Sequence, residues 1–271
     1  MSNPDFVAGG FVSGERDYAP ARPPRRIGRL TGWQAVFWQR PQSAPVPPGK
    51  RAFDVLVSLL LLALLWPVLV ATAVLLLVRE GRPVFYVSER MAAPGEPFPL
   101  IKFRTMKVGA DAAGGVTGGD KARAISGLHR FLRRSRLDEL PQLVNVLRGD
   151  MSLVGPRPTL RRYVEAHPEL YARVLRSRPG LTGLATLHFH AREERLLAAC
   201  NTPEETETVY RRRCVEQKAR LDLLYQRRRS LGLDAALVAK TALRPFGHRP
   251  ATGKAARAPA KPRCRPGPAS R

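Results

Sequence analysis

Residues 55–78 carry no charged side chain. As a helix rising 1.5 Å per residue they reach about 36 Å, enough to cross a hydrocarbon core of roughly 30 Å. No other stretch of the sequence is long and apolar enough to do so, so the fold has to accommodate this one segment in lipid. Two details shape how. Pro67 stands near its middle, where a proline removes a backbone hydrogen bond and bends a helix. Basic residues flank both ends, Lys50 and Arg51 before it and Arg79 and Arg82 after it. A simple span gathers its positive charge on the cytoplasmic side only. Symmetric flanks and a central Pro67 together predict a re-entrant hairpin with both ends in the cytosol; the plainer alternative is an ordinary tilted span.

The formal net charge is +24. Such an excess suits nucleic acid, an anionic membrane surface or a polyanionic small substrate. No helix-turn-helix, RNP or zinc-finger pattern is present, so nucleic acid is not expected as a partner. The apolar segment points to membrane lipids instead. Residues 1–49 are rich in Pro, Gly and Arg and are expected to be a disordered tail. Within them Trp33 to Trp38 reads equally as a short interfacial helix or as sticky residues in a loose tail. Residues 244–271 are basic, Pro-rich and free of acids, a second expected disordered tail that could adhere to anionic lipid. The cysteines, Cys200, Cys214 and Cys264, are odd in number and lack C-x-x-C spacing, which argues against disulfides and structural zinc and fits a reducing compartment. No signal peptide is expected, because polar residues precede the first apolar run.

Between the tails, residues 84–87 and 99–103 read as extended pieces separated by Ala92-Ala93-Pro94-Gly95. Residues 109–120 are Gly-rich, read as a mobile loop, and lack the G-K-[ST] ending of a phosphate-cradling P-loop. A basic helix is expected from about Lys121 to Arg134, and another from near Asp138 to Gly149, the residue expected just past its end. Helical patterns resume over 159–166 and 169–177, and Pro203 opens a long charged helix to about Arg229. That helix could pair two copies of the chain, although its apolar stripe is thin, so homo-oligomerisation stays open. A last amphipathic piece, 231–243, is suited to lying on the membrane or packing on the domain. The division expected is tail 1–49, membrane helix 50–82, catalytic domain 83–243 and tail 244–271. The fold class is α-rich (α+β) and membrane-associated.

The chemistry concentrates in residues 133–158, RRSRLDELPQLVNVLRGDMSLVGPRP. Asp138 and Glu139 are adjacent acids at a helix start, with Arg133, Arg134, Arg136 and Arg148 around them. Arg157 is held between prolines and loses little freedom on gripping an oxyanion; arginine forks suit phosphates. An acid pair in an arginine field beside a membrane segment suggests phosphoryl transfer, in which a carboxylate acts as nucleophile and forms an acyl-phosphate. A divalent cation would neutralise a diphosphate and the attacking acid together. An isolated D-E-L-P would more simply be a helix cap; the surrounding run is what shifts the reading.

That run resembles the signature of the bacterial sugar transferases, also called monotopic phosphoglycosyl transferases. Further blocks agree in the family's order: Lys50-Arg51-Ala52-Phe53-Asp54 with K-R-x-F-D, Ile101 to Met106 (IKFRTM) with K-F-R-[ST]-M, DELPQ at 138–142 with GDMSLVGPRP at 149–158, and Arg178 to Gly183 (RPGLTG) with R-P-G-[IL]-T-G. The resemblance covers roughly residues 50–240. It implies a re-entrant, Pro-broken helix in one leaflet and a cytosolic catalytic domain with interfacial amphipathic helices at the bacterial inner membrane. It implies that Asp138 attacks the β-phosphate of a UDP-sugar with Mg²⁺ present, with Asp138 as a metal ligand. UMP would leave and the sugar phosphate would stay on Asp138 until undecaprenyl phosphate takes it. Glu139 would accept a proton or orient the acceptor. Arg133 and Arg157 would bind phosphate, Lys102 and Arg104 would line the same basic site, and Pro67 would form the hairpin. The product would start an exopolysaccharide, capsule or O-antigen repeat.

The chain departs from the family after Gly183, where Leu184-Ala185-Thr186 replaces Trp-Ala-Gln, and at Val144, where an aromatic is usual. Both bear on sugar choice more than on reaction type. The rival reading is a non-enzymatic membrane-anchored scaffold or regulator of polysaccharide assembly, which would have no use for D-E-L-P-Q beside G-P-R-P. His188 and His190 would share a strand face but lack further metal ligands nearby. Asp54 is expected to pair with Arg51 or to hold the hairpin mouth.

Overall fold

The computed structural model describes residues 44–106, 126–200 and 202–247. The expected N-terminal tail up to residue 43, the whole Gly-rich loop, the start of the basic helix at Lys121 and the C-terminal tail beyond 247 lie outside the described residues. What is described is mostly helical, with two small two-stranded sheets.

The apolar segment forms α1, Pro48–Glu80, one helix of 33 residues that runs through Pro67. Pro48 suits its first turn, where the missing N–H costs nothing, and Gly81 ends it at φ 68°, donating its N–H to the Leu77 carbonyl. It is the one helix among the described residues long and apolar enough to cross a membrane, and only 11% of its most apolar window is buried. Leu56, Leu60, Leu64, Trp66 and Val70 are all more than half exposed. Its two ends, by contrast, are fastened to the same folded body. At the start, Lys50 reaches Asp234 at 2.7 Å, and the fully buried Asp54 accepts from the Ser152 hydroxyl at 2.8 Å and the Leu153 amide at 3.2 Å. At the end, Arg104 donates to the carbonyls of Glu80 and Gly81 at 2.6 and 3.0 Å. Asp54 therefore serves the mouth of the segment, but through Ser152, Leu153 and Lys50 rather than Arg51. Arg51 lies elsewhere because the last carbonyls of the helix over residues 142–148 lack intrahelical donors, and its guanidinium donates to Val146 and Leu147 there.

After α1 the chain makes an antiparallel hairpin, β1 (Phe85–Ala93) and β2 (Glu96–Phe103), turned at Gly95 with φ 78°. This bears out the extended pieces read from the sequence. Next come α2 (Gly127–Ser135), a single 3₁₀ turn at Leu137–Glu139, and α3 (Gln142–Arg148), which ends at Gly149 with φ 88° as its sequence predicted. The helix expected from Asp138 is thus two pieces. Pro141 has no N–H to continue the ladder, so the acids occupy a tight turn of their own. Asn145, fully buried, pins α3 to the hairpin: its side chain donates to Pro99 at 2.8 Å and accepts from the Ile101 amide at 3.1 Å. That tie sets Lys102 of β2 beside the acid turn.

β3 (Ser152–Val154) and β4 (Gly180–Thr182) pair in parallel, Ser152 with Gly180 and Val154 with Thr182. The G-P-R-P and R-P-G-L-T-G blocks are thereby stacked on each other. The strands approach so closely here that a Cβ on Gly180 would lie less than 3.0 Å from Gly155 N, and a Cβ on Gly155 less than 3.0 Å from the Arg178 carbonyl oxygen. Between the strands lie α4 (Arg161–Ala166) and α5 (Pro168–Val174). After them come α6 (Leu184–Ala198), α7 (Pro203–Val209), a π-helical turn at Tyr210–Cys214, α8 (Val215–Arg228) and α9 (Leu231–Gly247). One core gathers Tyr163, Tyr171, Phe189, Tyr210 and Val215, and a second gathers Phe98, Leu143, Met151, Tyr225 and Leu237 against Phe53 and Val57 of α1. α9 packs on the domain through Leu237 and Asp234 while Leu231 and Leu243 stay exposed. His188 and His190 fall on helix α6, not on a strand, so at about 100° per residue they diverge. His190 instead sits 3.7 Å from Glu194.

Candidate active site

The αL residue Arg136 (φ 59°) ends α2 and starts the 3₁₀ turn. A side chain in that region is disfavoured, and such residues gather at functional sites. The sharp turn reverses the chain so that Arg136 folds back on Glu139, Nη2 to Oε2 at 2.6 Å. The other oxygen, Oε1, is held by Arg157 Nη2 at 2.9 Å. Arg157 comes from the far side, carried on the stiff Pro156–Pro158 connection that leaves β3. Glu139 is thus clamped from both sides of the site. Burial works to raise its pKa, but Arg157 and Arg136 together overcome burial and hold the carboxyl down at about 2.

Asp138 differs although it is adjacent. It is 7% exposed, and among the described residues it forms no salt bridge. Burial first, then the charge of Glu139, push it up to about 6, against the pull of Lys102, Arg133 and Arg136. Two neighbouring carboxyls driven apart in this way are suited to divided roles, one fixed as an anion and one able to change its charge. The sequence alternative of a plain N-cap does not match the geometry, since no cap hydrogen bond comes from Asp138 and the turn is 3₁₀.

The other residues singled out by sequence are dispersed as follows. Lys102, on β2, is half-buried with its Nζ 5.0 Å above the Tyr86 ring, and burial and Arg90 lower its pKa to about 8. Arg133, from the last turn of α2, is steadied by its Nε donating to Thr105 Oγ1 at 3.1 Å. These two and Arg157 surround the acid turn. Arg104 is buried and spends its Nη2 on the end of α1, so its guanidinium is committed there rather than beside Lys102. Arg148 pairs with Asp150 at 3.1 Å and Arg134 is exposed, so neither joins the clamp. Pro67 sits on the exposed middle of α1. Arg136 is the clamp member the sequence left without a role; its place three residues before Glu139 was the available signal.

A divalent cation can be tested against this donor set. Among the described residues no cluster of three His, Cys, Asp or Glu side chains could hold one. Mg²⁺ does not need such a cage, since it binds through one or two carboxylates and substrate phosphates and keeps several waters. The unpaired carboxylate of Asp138 fits that manner of binding; Glu139, occupied by two arginines, does not.

Comparison with known proteins places the chain. The pattern of the family described as bacterial sugar transferase matches residues 47–248. The chain belongs to the bacterial sugar transferase family. It is 39% identical over 139 residues to the uncharacterized sugar transferase EpsL of Bacillus subtilis, covering 51% of this chain and 68% of that one. It is 42% identical over 142 residues to a UDP-glucose:undecaprenyl-phosphate glucose-1-phosphate transferase of Caulobacter vibrioides, 50% of this chain and 52% of that one. It is 37% identical over 151 residues to the exopolysaccharide production protein ExoY of Sinorhizobium fredii, 50% of this chain and 67% of that one. The matches thus span about half to two thirds of these relatives' lengths.

The acid turn makes a pH prediction. If Asp138 must be ionised to react, donor kcat/KM falls on the acid side of pH 6 by about tenfold per unit, because kcat/KM reports the free enzyme. A bound cation favours the anion and would move the limb lower. Initial rates of nucleotide release from pH 4.5 to 8 at subsaturating donor check this. A flat profile down to pH 4.5 at low cation would contradict it.

Proposed function

We propose that this chain transfers a sugar 1-phosphate from a UDP-sugar to undecaprenyl phosphate, releases UMP, and begins the assembly of an exopolysaccharide, capsule or O-antigen. The observation that carries the reading is the split acid pair: a poised Asp138 and a clamped Glu139 inside a ring of Lys102, Arg133, Arg136 and Arg157. The activity for which the Caulobacter relative is named, a UDP-glucose to undecaprenyl-phosphate transfer, supports substrates of the same kind here.

In this reading the Asp138 carboxylate attacks the β-phosphorus of the donor. A carboxylate O–P bond forms as the P–O bond to UMP breaks, and the electron pair leaves with UMP. The phosphate of the lipid acceptor then attacks the same phosphorus, and Asp138 departs as a carboxylate. The acceptor phosphate is already an anion, so no base is required of Glu139. Held ionised between two arginines, Glu139 positions them for the phosphate oxygens. Mg²⁺ held by Asp138 and the diphosphate would offset negative charge as the two come together. Lys102, Arg133 and Arg157 supply fixed positive charge to the same oxygens.

The membrane segment is proposed as a re-entrant hairpin bent at Pro67, with the catalytic domain on the cytoplasmic face of the inner membrane. A straight helix of 33 residues is about 50 Å long. Here residues at both of its ends bind one folded body, Lys50 to Asp234 and Glu80 and Gly81 to Arg104, which supports the hairpin over a span with ends on opposite sides. The domain division proposed is the membrane helix at 50–82 and the catalytic domain at 83–243, flanked by tails.

The test is to mix purified protein with Mg²⁺ and a UDP-sugar, without acceptor, and to weigh the intact chain. The expected result is one sugar-phosphate adduct per chain, discharged by undecaprenyl phosphate. Turnover with no adduct at any time would favour direct transfer and remove the covalent step.

A further inference from the structure

The hairpin face that carries Lys102 carries another cation with no task assigned so far. In the β1–β2 register Tyr86 lies opposite Lys102, Ser88 opposite Leu100 and Arg90 opposite Phe98. Directly opposed residues share a face, and so do alternate residues along a strand. Arg90 therefore shares its face with Tyr86 and Lys102. Its Nη1 donates to the carbonyl of its own neighbour Glu89 at 3.0 Å. Among the described residues no carboxylate pairs with it.

Its charged surroundings are mainly of its own sign. Burial, then Arg157, bring the Arg90 guanidinium down to about 10, with Arg162 adding to the effect and the phenols of Tyr86 and Tyr210 opposing it. Arg90 is in turn the main charge depressing Lys102. Arg90 and Lys102 share one hairpin face, and the bridge between Met91 and Thr159 brings the segment that carries Arg157 alongside Arg90; among the described residues only Arg157 of the three forms a salt bridge, with Glu139. Such repulsion weakens a fold, and a polyanion bound among the three would relieve it. The placement is graded. Lys102 feels Asp138 and Glu139, whereas Arg90 feels Arg157, Arg162 and Tyr210. In the register Arg90 lies two rungs along the hairpin from the Tyr86–Lys102 pair, towards the bridge between Met91 and Thr159.

We propose that Arg90 is a donor-binding residue which, with Lys102 and Arg157, grips the diphosphate of a nucleoside diphosphate sugar and holds the phosphate that leaves. The inference rests on the transferase reading given above. In an in-line displacement the leaving oxygen lies opposite the nucleophile, which places the nucleotide's own phosphate on the Arg90 side when Asp138 attacks the other. As the bond to that phosphate breaks, negative charge grows on its oxygen, and Arg90 meets it.

The test uses the whole membrane protein in detergent, wild type beside Arg90→Gln and Arg90→Lys. Two quantities are read: thermal midpoint with and without inorganic pyrophosphate, and kcat/KM separately for donor and acceptor. Pyrophosphate should raise the wild-type midpoint. Arg90→Gln should match or exceed the wild-type midpoint without ligand, because it relieves repulsion, and should lose most of the rise. Its donor kcat/KM should drop at least about tenfold, the worth of a charge-assisted hydrogen bond, with acceptor kcat/KM unchanged. Arg90→Lys should recover part of that loss. Should Arg90→Gln fail to fold, Arg90→Lys must still lose donor kcat/KM at an unchanged midpoint. A lower unliganded midpoint with unchanged donor kcat/KM makes Arg90 a structural residue and overturns the inference. UMP release that neither variant slows overturns it while leaving the transferase intact. A pyrophosphate shift that depends on Arg90, without UMP release from any UDP-sugar, overturns the transferase reading and the donor role with it, leaving a bare anion site.

Discussion

Asp138→Asn abolishes UMP release, by at least about 10³-fold, while the protein still inserts and folds. The size follows from the role: an amide in place of the carboxylate cannot form the acyl-phosphate, and loss of a nucleophile removes the path rather than one of several contributions. Asparagine keeps the shape of the side chain, and Asp138 makes no salt bridge among the described residues whose loss would strand a partner. Removing a buried acid with a raised pKa also removes the cost of charging it, so the thermal midpoint of the variant should equal or exceed that of wild type. Thermal midpoint and UMP release measured on one preparation separate the cases. A variant that folds and retains a tenth of the activity would transfer the nucleophile's role elsewhere. Glu139→Gln differs in kind: it leaves Arg136 and Arg157 without their shared anion, so stability and donor KM move together.

The second large effect is structural and lies away from the acids. Gly180→Ala should cost more than about 3 kcal/mol and eliminate activity through the fold. A Cβ on Gly180 would meet the backbone N and Cα of Gly155 and the carbonyl of Thr182, all closer than 3.0 Å. No side-chain rotation relieves a clash between backbones, so β3 and β4 must separate. Those strands are only three residues each, and the bonds just past β3 tie them together: the Gly155 N–H donates to the Thr182 carbonyl at 2.9 Å, and the Gly180 N–H donates to the Pro156 carbonyl at 2.8 Å. Arg157 follows Pro156 directly, so parting the strands displaces one jaw of the Glu139 clamp. Gly232→Ala is the matched control. Its Cβ would enter open space on α9, and alanine in a helix is expected to be neutral or to stabilise by about 0.5–1 kcal/mol. Thermal midpoints of the two variants beside wild type check this; equal midpoints would refute the interlock.

The site was legible in the sequence where chemistry is written locally. Asp138, Glu139 and Arg157 stand out because acids, prolines and arginines are crowded into one run, and the structure brings Arg157 and Glu139 to 2.9 Å. The extended pieces around Pro94-Gly95 and the stop at Gly149 were legible for a similar reason, since turn and cap residues act within a few positions. What failed was non-local or short. The pairing of β3 with β4 joins segments of three residues too brief for any period, and their glycines signal a close approach without saying to what. Arg104 shares a motif with Lys102, yet β2 ends at Phe103, so Arg104 is released from the strand's alternation and turns towards Glu80 and Gly81. His188 and His190 read as a strand face because a short stretch of alternating residues cannot be told from a helix by period alone. The opposite pKa shifts of Asp138 and Glu139 were not legible at all, because they depend on which acid the arginines reach.

The most direct measurement is UMP release by membranes containing the protein, given Mg²⁺, undecaprenyl phosphate and a panel of UDP-sugars, with Asp138→Asn membranes in parallel. The account predicts release with at least one UDP-sugar that depends on the lipid acceptor for sustained turnover and vanishes in the variant. No release with any sugar from well-expressed protein, or equal release from wild type and Asp138→Asn, would contradict it.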